Sequence, residues 1–162
     1  LMPGDEGRVT AWTRDGKFAY LGNLMNPGLS NQAGSVVKVE WPSGKLVKRI
    51  ENVTMPAPRD TPIVNDVEMT PDCRFLYVTD GVQGALVKID QETDTIVKTI
   101  PVGKEPRAII FSADGTTGYI TVMHEPVENE SSVFVYDVVK DQVVDSIPNL
   151  AAPIASGLVW SP

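Results

Sequence analysis

Apolar residues alternate with polar ones in short runs along this chain, and the runs return at regular intervals. Val37 and Val39, Val87 and Ile89, and Phe134 and Tyr136 each lie two apart in segments rich in β-branched and aromatic residues. A period of two places one face of an extended strand against a core. No segment sustains a helical period, and thirteen prolines and thirteen glycines punctuate the runs. The pattern predicts an all-β protein.

One frame orders these runs and occurs three times. An aspartate precedes a tyrosine by five residues (Asp15 and Tyr20, Asp72 and Tyr77, Asp114 and Tyr119), and an acidic residue later precedes an isoleucine by ten (Glu40 and Ile50, Asp90 and Ile100, Asp137 and Ile147). A fourth copy opens at Pro153-Ile154, matching Pro62-Ile63, and runs to Pro162. Each copy predicts four strands. The first covers Val9–Thr13, Asp66–Thr70 or Arg107–Ser112, and the second Phe18–Gly22, Phe75–Thr79 or Gly118–Val122. The third covers Val36–Glu40, Leu86–Asp90 or Val133–Asp137, and the fourth Leu46–Ile50, Ile96–Ile100 or Val143–Ile147. Asp15-Gly16 and Asp114-Gly115 mark tight turns between the first two strands, because glycine tolerates the positive φ such turns use. The recurring aspartates are therefore expected to form turns. The fourth strands carry polar residues in their middles, which predicts an outer position. Trp12, Met69, Phe111 and Trp160 end the first strands and are expected to plug the core between neighbouring units.

A repeated four-stranded antiparallel unit of about 40 to 50 residues is the signature of a β-propeller blade. The blades are expected at about 7–52, 62–103 and 106–148, with the start of a fourth at 153–162, all in a single partial propeller domain. Tyr77-Val78-Thr79-Asp80, with looser copies Tyr119-Ile120-Thr121-Val122 and Tyr20-Leu21-Gly22-Asn23, resembles the YVTN β-propeller repeat family of surface-layer type. The resemblance covers nearly the whole chain. Cys73 departs from it by replacing the turn glycine, and the loops before Val36 and Val133 are longer than the family's usual ones. The resemblance implies seven blades in a closed ring with the first strand of each innermost. Three blades and one strand make an incomplete ring, so the chain is expected to be a fragment of a longer propeller or to be completed by partner copies, as a homo-oligomer. A lone blade exposes both faces and gains stability only from neighbours.

Composition narrows the partners. A hydrophobic content of 42% suits a globular chain. With 14 basic against 21 acidic residues the net charge is −7, which repels phosphate backbones, so no nucleic acid partner is expected. No apolar run is long enough to predict a transmembrane segment. The single cysteine, Cys73, permits no internal disulfide. It is read as a tolerated substitution on an exposed turn rather than a reactive thiol.

A four-stranded meander sends the first and third turns of each blade to one rim, and the second loops and inter-blade connections to the other. The latter set is long and irregular here: Asn23–Ser35, Thr79–Ala85, Thr121–Ser132, Glu51–Asn65, Pro101–Pro106 and Pro148–Ser156. Binding residues concentrate on such loops. Arg59, Asp60, Asn65, Asp66 and Arg107 lie on or beside the inter-blade connections, nearest the channel the resemblance implies, and are the ligand-binding candidates with His124 and Glu125. His124 is the only histidine, so a metal site there needs ligands from elsewhere, and an exposed loop histidine is the preferred reading. The acidic run around Glu125 lacks the spacing of a calcium loop. Packing explains Trp12 and Trp160 better than a sugar platform does.

No Ser-His-Asp order, phosphate loop, haem attachment motif or zinc spacing is visible. The reading is a non-catalytic binding or scaffold propeller with a protein partner or the remaining blades as its contacts. It is placed in the periplasm, secreted or at the cell surface, with no cofactor predicted. The alternatives are the propeller portion of a redox enzyme carrying haem or copper, or of a lactonase-type hydrolase; calcium is a further alternative ligand.

Overall fold

The computed structural model describes residues 7–23, 33–54, 64–103, 105–123 and 131–148. Among them are twelve strands in three four-stranded antiparallel sheets, each a simple meander. The first sheet holds β1 (Gly7–Trp12), β2 (Phe18–Asn23), β3 (Ser35–Glu40) and β4 (Leu46–Ile50). The second holds β5 (Val64–Met69), β6 (Phe75–Asp80), β7 (Ala85–Asp90) and β8 (Thr95–Pro101). The third holds β9 (Pro106–Phe111), β10 (Thr117–Met123), β11 (Ser131–Asp137) and β12 (Gln142–Ile147). β5 packs on β1 at one side and on β9 at the other, so the first strands gather on the inside of an open ring. This is an all-β, partial propeller. Among the described residues no helix is long and apolar enough to cross a membrane.

The first strands end one residue earlier than the alternation predicts, because Thr13, Thr70 and Ser112 close the turn. Their hydroxyls donate to Asp15, Asp72 and Asp114 Oδ1 at 2.7, 2.6 and 2.6 Å. The same hydroxyl oxygens accept the amides of Phe18, Phe75 and Thr117 at 3.1, 3.0 and 3.0 Å. Each aspartate also accepts an amide two residues on. These bonds favour the charged carboxylate. The hydroxyl contact first, and the amide second, hold Asp15 down at about 2 and depress Asp72 and Asp114. The recurring aspartates are turn-formers, as their recurrence suggests.

Cys73 corrects one expectation. It adopts φ 59 where glycine stands in the other two turns, but it is only partly exposed and packs against the core. Its Sγ accepts the Arg14 amide of the neighbouring sheet at 3.2 Å, so it belongs to the contact between sheets.

Two cores lie between sheets. Ala11, Tyr20, Val36 and Ile50 of the first sheet meet Val67, Met69, Leu76, Val78 and Ile89 of the second. Tyr77, Leu86 and Ile100 of the second meet Ile109, Phe111, Ile120 and Tyr136 of the third. Met69 and Phe111 thus plug the space toward the preceding sheet. Trp12, expected to do the same, is 46% exposed and stacks edge-on against Trp41, with ring centroids 5.4 Å apart. The physical reason is that a plug needs a preceding sheet, and among the described residues none stands before the first. The fourth strands are outermost, with β8 exposed along most of its length.

Each core junction carries a buried polar lock that the alternation does not announce. Lys38 and the Tyr20 hydroxyl converge on Asp94 of the next sheet, at 3.0 and 2.6 Å. Lys88 reaches Asp141 of the next sheet at 2.9 Å, and the Tyr136 hydroxyl donates to the same carboxylate at 2.8 Å. Both lysines also lie over aromatic rings, Lys38 5.0 Å from Phe18 and Lys88 4.3 Å from Phe75. Burial works against the Lys88 ammonium, yet the bond to Asp141 and the attraction of Tyr77 and the Asp141 charge together outweigh that and raise its pKa. Asp94 and Asp141 hold equivalent positive-φ turn positions, both at φ 52.

Candidate functional site

The inner strands share an irregularity at the same place. The register of β1 with β2 skips Arg8, that of β5 with β6 skips Asn65, and that of β9 with β10 skips Arg107. Such a bulge adds one residue opposite a partner and re-aims its side chain, and bulges collect at barrel rims and beside active sites. These three positions are equivalent in the repeat. They line up at the irregular-loop end of the inner strands, where sequence alone selected Asn65 and Arg107.

Around the bulges, the second and third sheets are stitched together. Asn65 Nδ2 donates to the Pro106 carbonyl at 2.9 Å, and the Thr79 hydroxyl donates to the Arg107 carbonyl at 3.3 Å. The Arg107 guanidinium pairs with Glu105, and its Nε approaches Met123 Sδ at 3.0 Å. Glu105 and Met123 line an open cleft of about 520 Å³ whose other wall is the Gly81–Gly84 turn, closed by Pro101 and Gly103. Asp80, buried, shapes that wall: its Oδ1 accepts the amides of Val82 and Gln83, both at 2.9 Å. That carboxylate is committed to the loop rather than offered to a ligand.

Below the bulge, Asp66 and Glu68 project from β5 toward the third sheet. Asp66 accepts the Ile109 amide on one oxygen and its neighbour Val67 on the other, both at 2.9 Å. Burial raises its pKa, while those two amides oppose the rise. Glu68, first through burial and second through the Asp66 charge, is pushed up to about 7. A carboxyl near neutrality on an inner strand can exchange a proton under ordinary conditions. The composition offered no signal for Glu68, since its burial arises only on folding.

The structure thus brings Asn65, Asp66 and Arg107 to one junction. Arg59, Asp60, His124 and Glu125 lie outside the described residues, as does the segment 153–162. Among the described residues no three His, Cys, Asp or Glu side chains converge as a metal site.

No family profile matches the chain, and no curated protein matches it in sequence. Solved structures do resemble it. The hydrazine synthase of Kuenenia stuttgartiensis matches 88% of this chain and 37% of its own at 22% identity, with a TM-score of 0.72. U3-55K matches 88% and 39% at 15% identity, with a TM-score of 0.66. The RRP9 WD40 repeats match 88% and 38% at 15% identity, with a TM-score of 0.65. The chain therefore spans less than two fifths of each of these structures. At such identities the likeness establishes the fold alone: blades of the propeller and WD40 kind, an architecture found in a hydrazine synthase chain and in WD40 repeats alike.

Proposed function

We infer that the chain is a non-catalytic propeller module of the YVTN repeat type, acting as a binding scaffold outside the cytoplasm, with its ligand site on the irregular rim. The observation that carries this is the repeated bulge, which turns Asn65 and Arg107 out of the strand ladder at the channel end of each inner strand. A side chain re-aimed at the same level in successive blades forms a ring of contacts suited to a protein or peptide ligand crossing the channel mouth. The cleft between the Gly81–Gly84 turn and Glu105 extends that surface outward. Arg59, Asp60, His124 and Glu125 complete the candidate set from the neighbouring loops, and the blades are taken as 7–52, 62–103 and 106–148, with a fourth beginning at 153. Further blades or further copies close the ring.

The likeness to a hydrazine synthase chain keeps one second reading, a propeller portion of a redox enzyme. Visible absorption and elemental analysis of the purified protein separate the two. The scaffold reading expects no haem band and no stoichiometric copper. Either one would establish the redox reading in its place.

A further inference from the structure

The bulged positions of the three inner strands share a chemistry. They are Arg8, Asn65 and Arg107. All three residues carry side-chain N–H donors and none is acidic, in a chain with 21 acidic against 14 basic residues. A bulge re-aims the residue it adds, so the device that recurs along the rim brings a donor each time. Two of the three stand at the cleft between the Gly81–Gly84 turn and Glu105. Asn65 lies so close to Gly81 that a Cβ there would collide with its Nδ2. Arg107 touches both Glu105 and Met123, which line the same cleft.

The donors of Arg107 are only partly spent. A guanidinium carries five N–H groups and no acceptor. Nη2 meets the Glu105 carboxylate, and Nε meets the Met123 thioether, a weak acceptor, at 3.0 Å. Nη1 has no acceptor among the described residues. Arg107 and Glu105 are each 29% exposed, so the guanidinium is neither sealed in the core nor free to swing in water. Glu105 holds φ 43, a left-handed conformation uncommon for glutamate and kept where the surroundings fix it. Its carbonyl accepts the Met123 amide at 3.3 Å, and its carboxylate holds the guanidinium. The outcome is an arginine fixed on two sides, with one end unspent, beside an open cleft of about 520 Å³. Such a planar fork is complementary to a carboxylate, which it grips through two parallel bonds. Val82, Pro101 and Met123 give the cleft apolar wall, suited to the stem of a bound side chain.

Taking the rim as a peptide-binding surface, we propose that this cleft receives an acidic peptide, whose glutamate or aspartate carboxylate is gripped by Arg107 from its Nη1 end. Glu105 holds the guanidinium in position and competes with the ligand carboxylate for it. Arg107 therefore sets the specificity, and Glu105 limits the affinity.

The test is NMR titration of the isotope-labelled 162-residue chain, read at the Arg107 Nε–H and at the amides of Val82, Gln83 and Gly84. The probes are acetylated, amidated peptides with a run of glutamates, glutamines or lysines between glycines, together with acetate and inorganic phosphate. The glutamate peptide is expected to shift these signals saturably. The glutamine peptide is expected to bind at least about tenfold more weakly, having lost a charge-assisted bond. Arg107→Gln is expected to abolish the difference between the two peptides. Glu105→Gln is expected to tighten the glutamate peptide about threefold, because a partly exposed competing charge is gone. If Arg107→Gln does not fold, as thermal unfolding would show, Glu105→Gln carries the test by itself. Equal binding of the glutamate and glutamine peptides overturns the acidic ligand and leaves the rim as a peptide-binding surface. So does tighter binding of the lysine peptide, or a Glu105→Gln variant that binds the glutamate peptide more weakly than the parent. Acetate or phosphate binding as tightly as the glutamate peptide makes the cleft a general anion site and overturns the peptide. Signals unmoved by every probe overturn both the acidic ligand and the rim surface.

Discussion

Glu68 is the residue at which environment most changes chemistry. An ordinary glutamate is charged well below neutrality, but burial on β5 and the adjacent Asp66 push Glu68 up to about 7. The folded state therefore binds a proton that the unfolded chain, with the ordinary glutamate value of 4.5, releases. The resulting stabilisation is fully present below pH 4.5 and is lost as the pH rises to about 7. Glu68→Gln removes this dependence. It is expected to stabilise the protein at pH 8 relative to the parent and to leave stability at pH 4 nearly unchanged, as measured by urea unfolding. Partial exposure screens the effect, so a gain of about 1 kcal/mol is expected rather than the full value of the shift. The turn aspartates behave oppositely. Their lowered pKa values give stability that is present above the ordinary carboxylate range and lost as the pH falls through the lowered values. Their role was legible in the sequence because every partner lies within a few residues: a hydroxyl two before and an amide two after. Glu68 was not legible, because the burial that is the first cause of its shift arises only on folding, although Asp66, the second cause, stands two residues before it.

Between elements, the polar locks decide how blades hold together. Asp141 is 16% exposed and Lys88 11%, whereas the Lys17–Asp15 pair has exposures of 72% and 50%. An exposed pair of that kind contributes about 0–1 kcal/mol. Removing one partner of a largely buried pair strands the other and costs about 3 kcal/mol. Asp141→Asn is the informative change, since asparagine tolerates the positive φ of that turn and isolates the charge. It is expected to destabilise by about 2–3 kcal/mol in denaturant unfolding, and Lys88→Met in the same chain is expected to recover part of the loss. Strand positions and their order were readable from alternation and turn residues. The lysines at mid-strand were readable only as polar interruptions, because their aspartates are 56 and 53 residues away. The bulges at Asn65 and Arg107 left no compositional mark at all, as neither carries the glycine that often betrays one.

For the whole molecule, the ring position of each sheet sets its exposure. The second sheet shares a core with a neighbouring sheet on both faces; the first shares one and carries a smaller buried cluster of Ala19, Val37 and Val39 on its other face, and the third shares one. Amide exchange is accordingly expected to be slowest in β6 and β7 and fastest in β4 and β12; β4 and β12 exchanging as slowly as β7 would mean that the outer faces are as well covered as the inner ones. The sequence by itself determined the repeat, the four strands of each unit, the Thr-x-Asp and Ser-x-Asp turns and the outer place of the fourth strands. All of these rest on interactions between residues close along the chain, and local periodicity records such interactions. Only the tertiary structure decided that Trp12 is a surface residue while Met69 and Phe111 are core. It also decided that Cys73 joins two sheets, that Asp66 ties β5 to β9, and that Glu68 holds a proton near neutrality. Each of these arises only on folding, and all but the last depend on which sheet stands next to which. One repeated sequence position can therefore be a plug in one blade and an exposed aromatic in another.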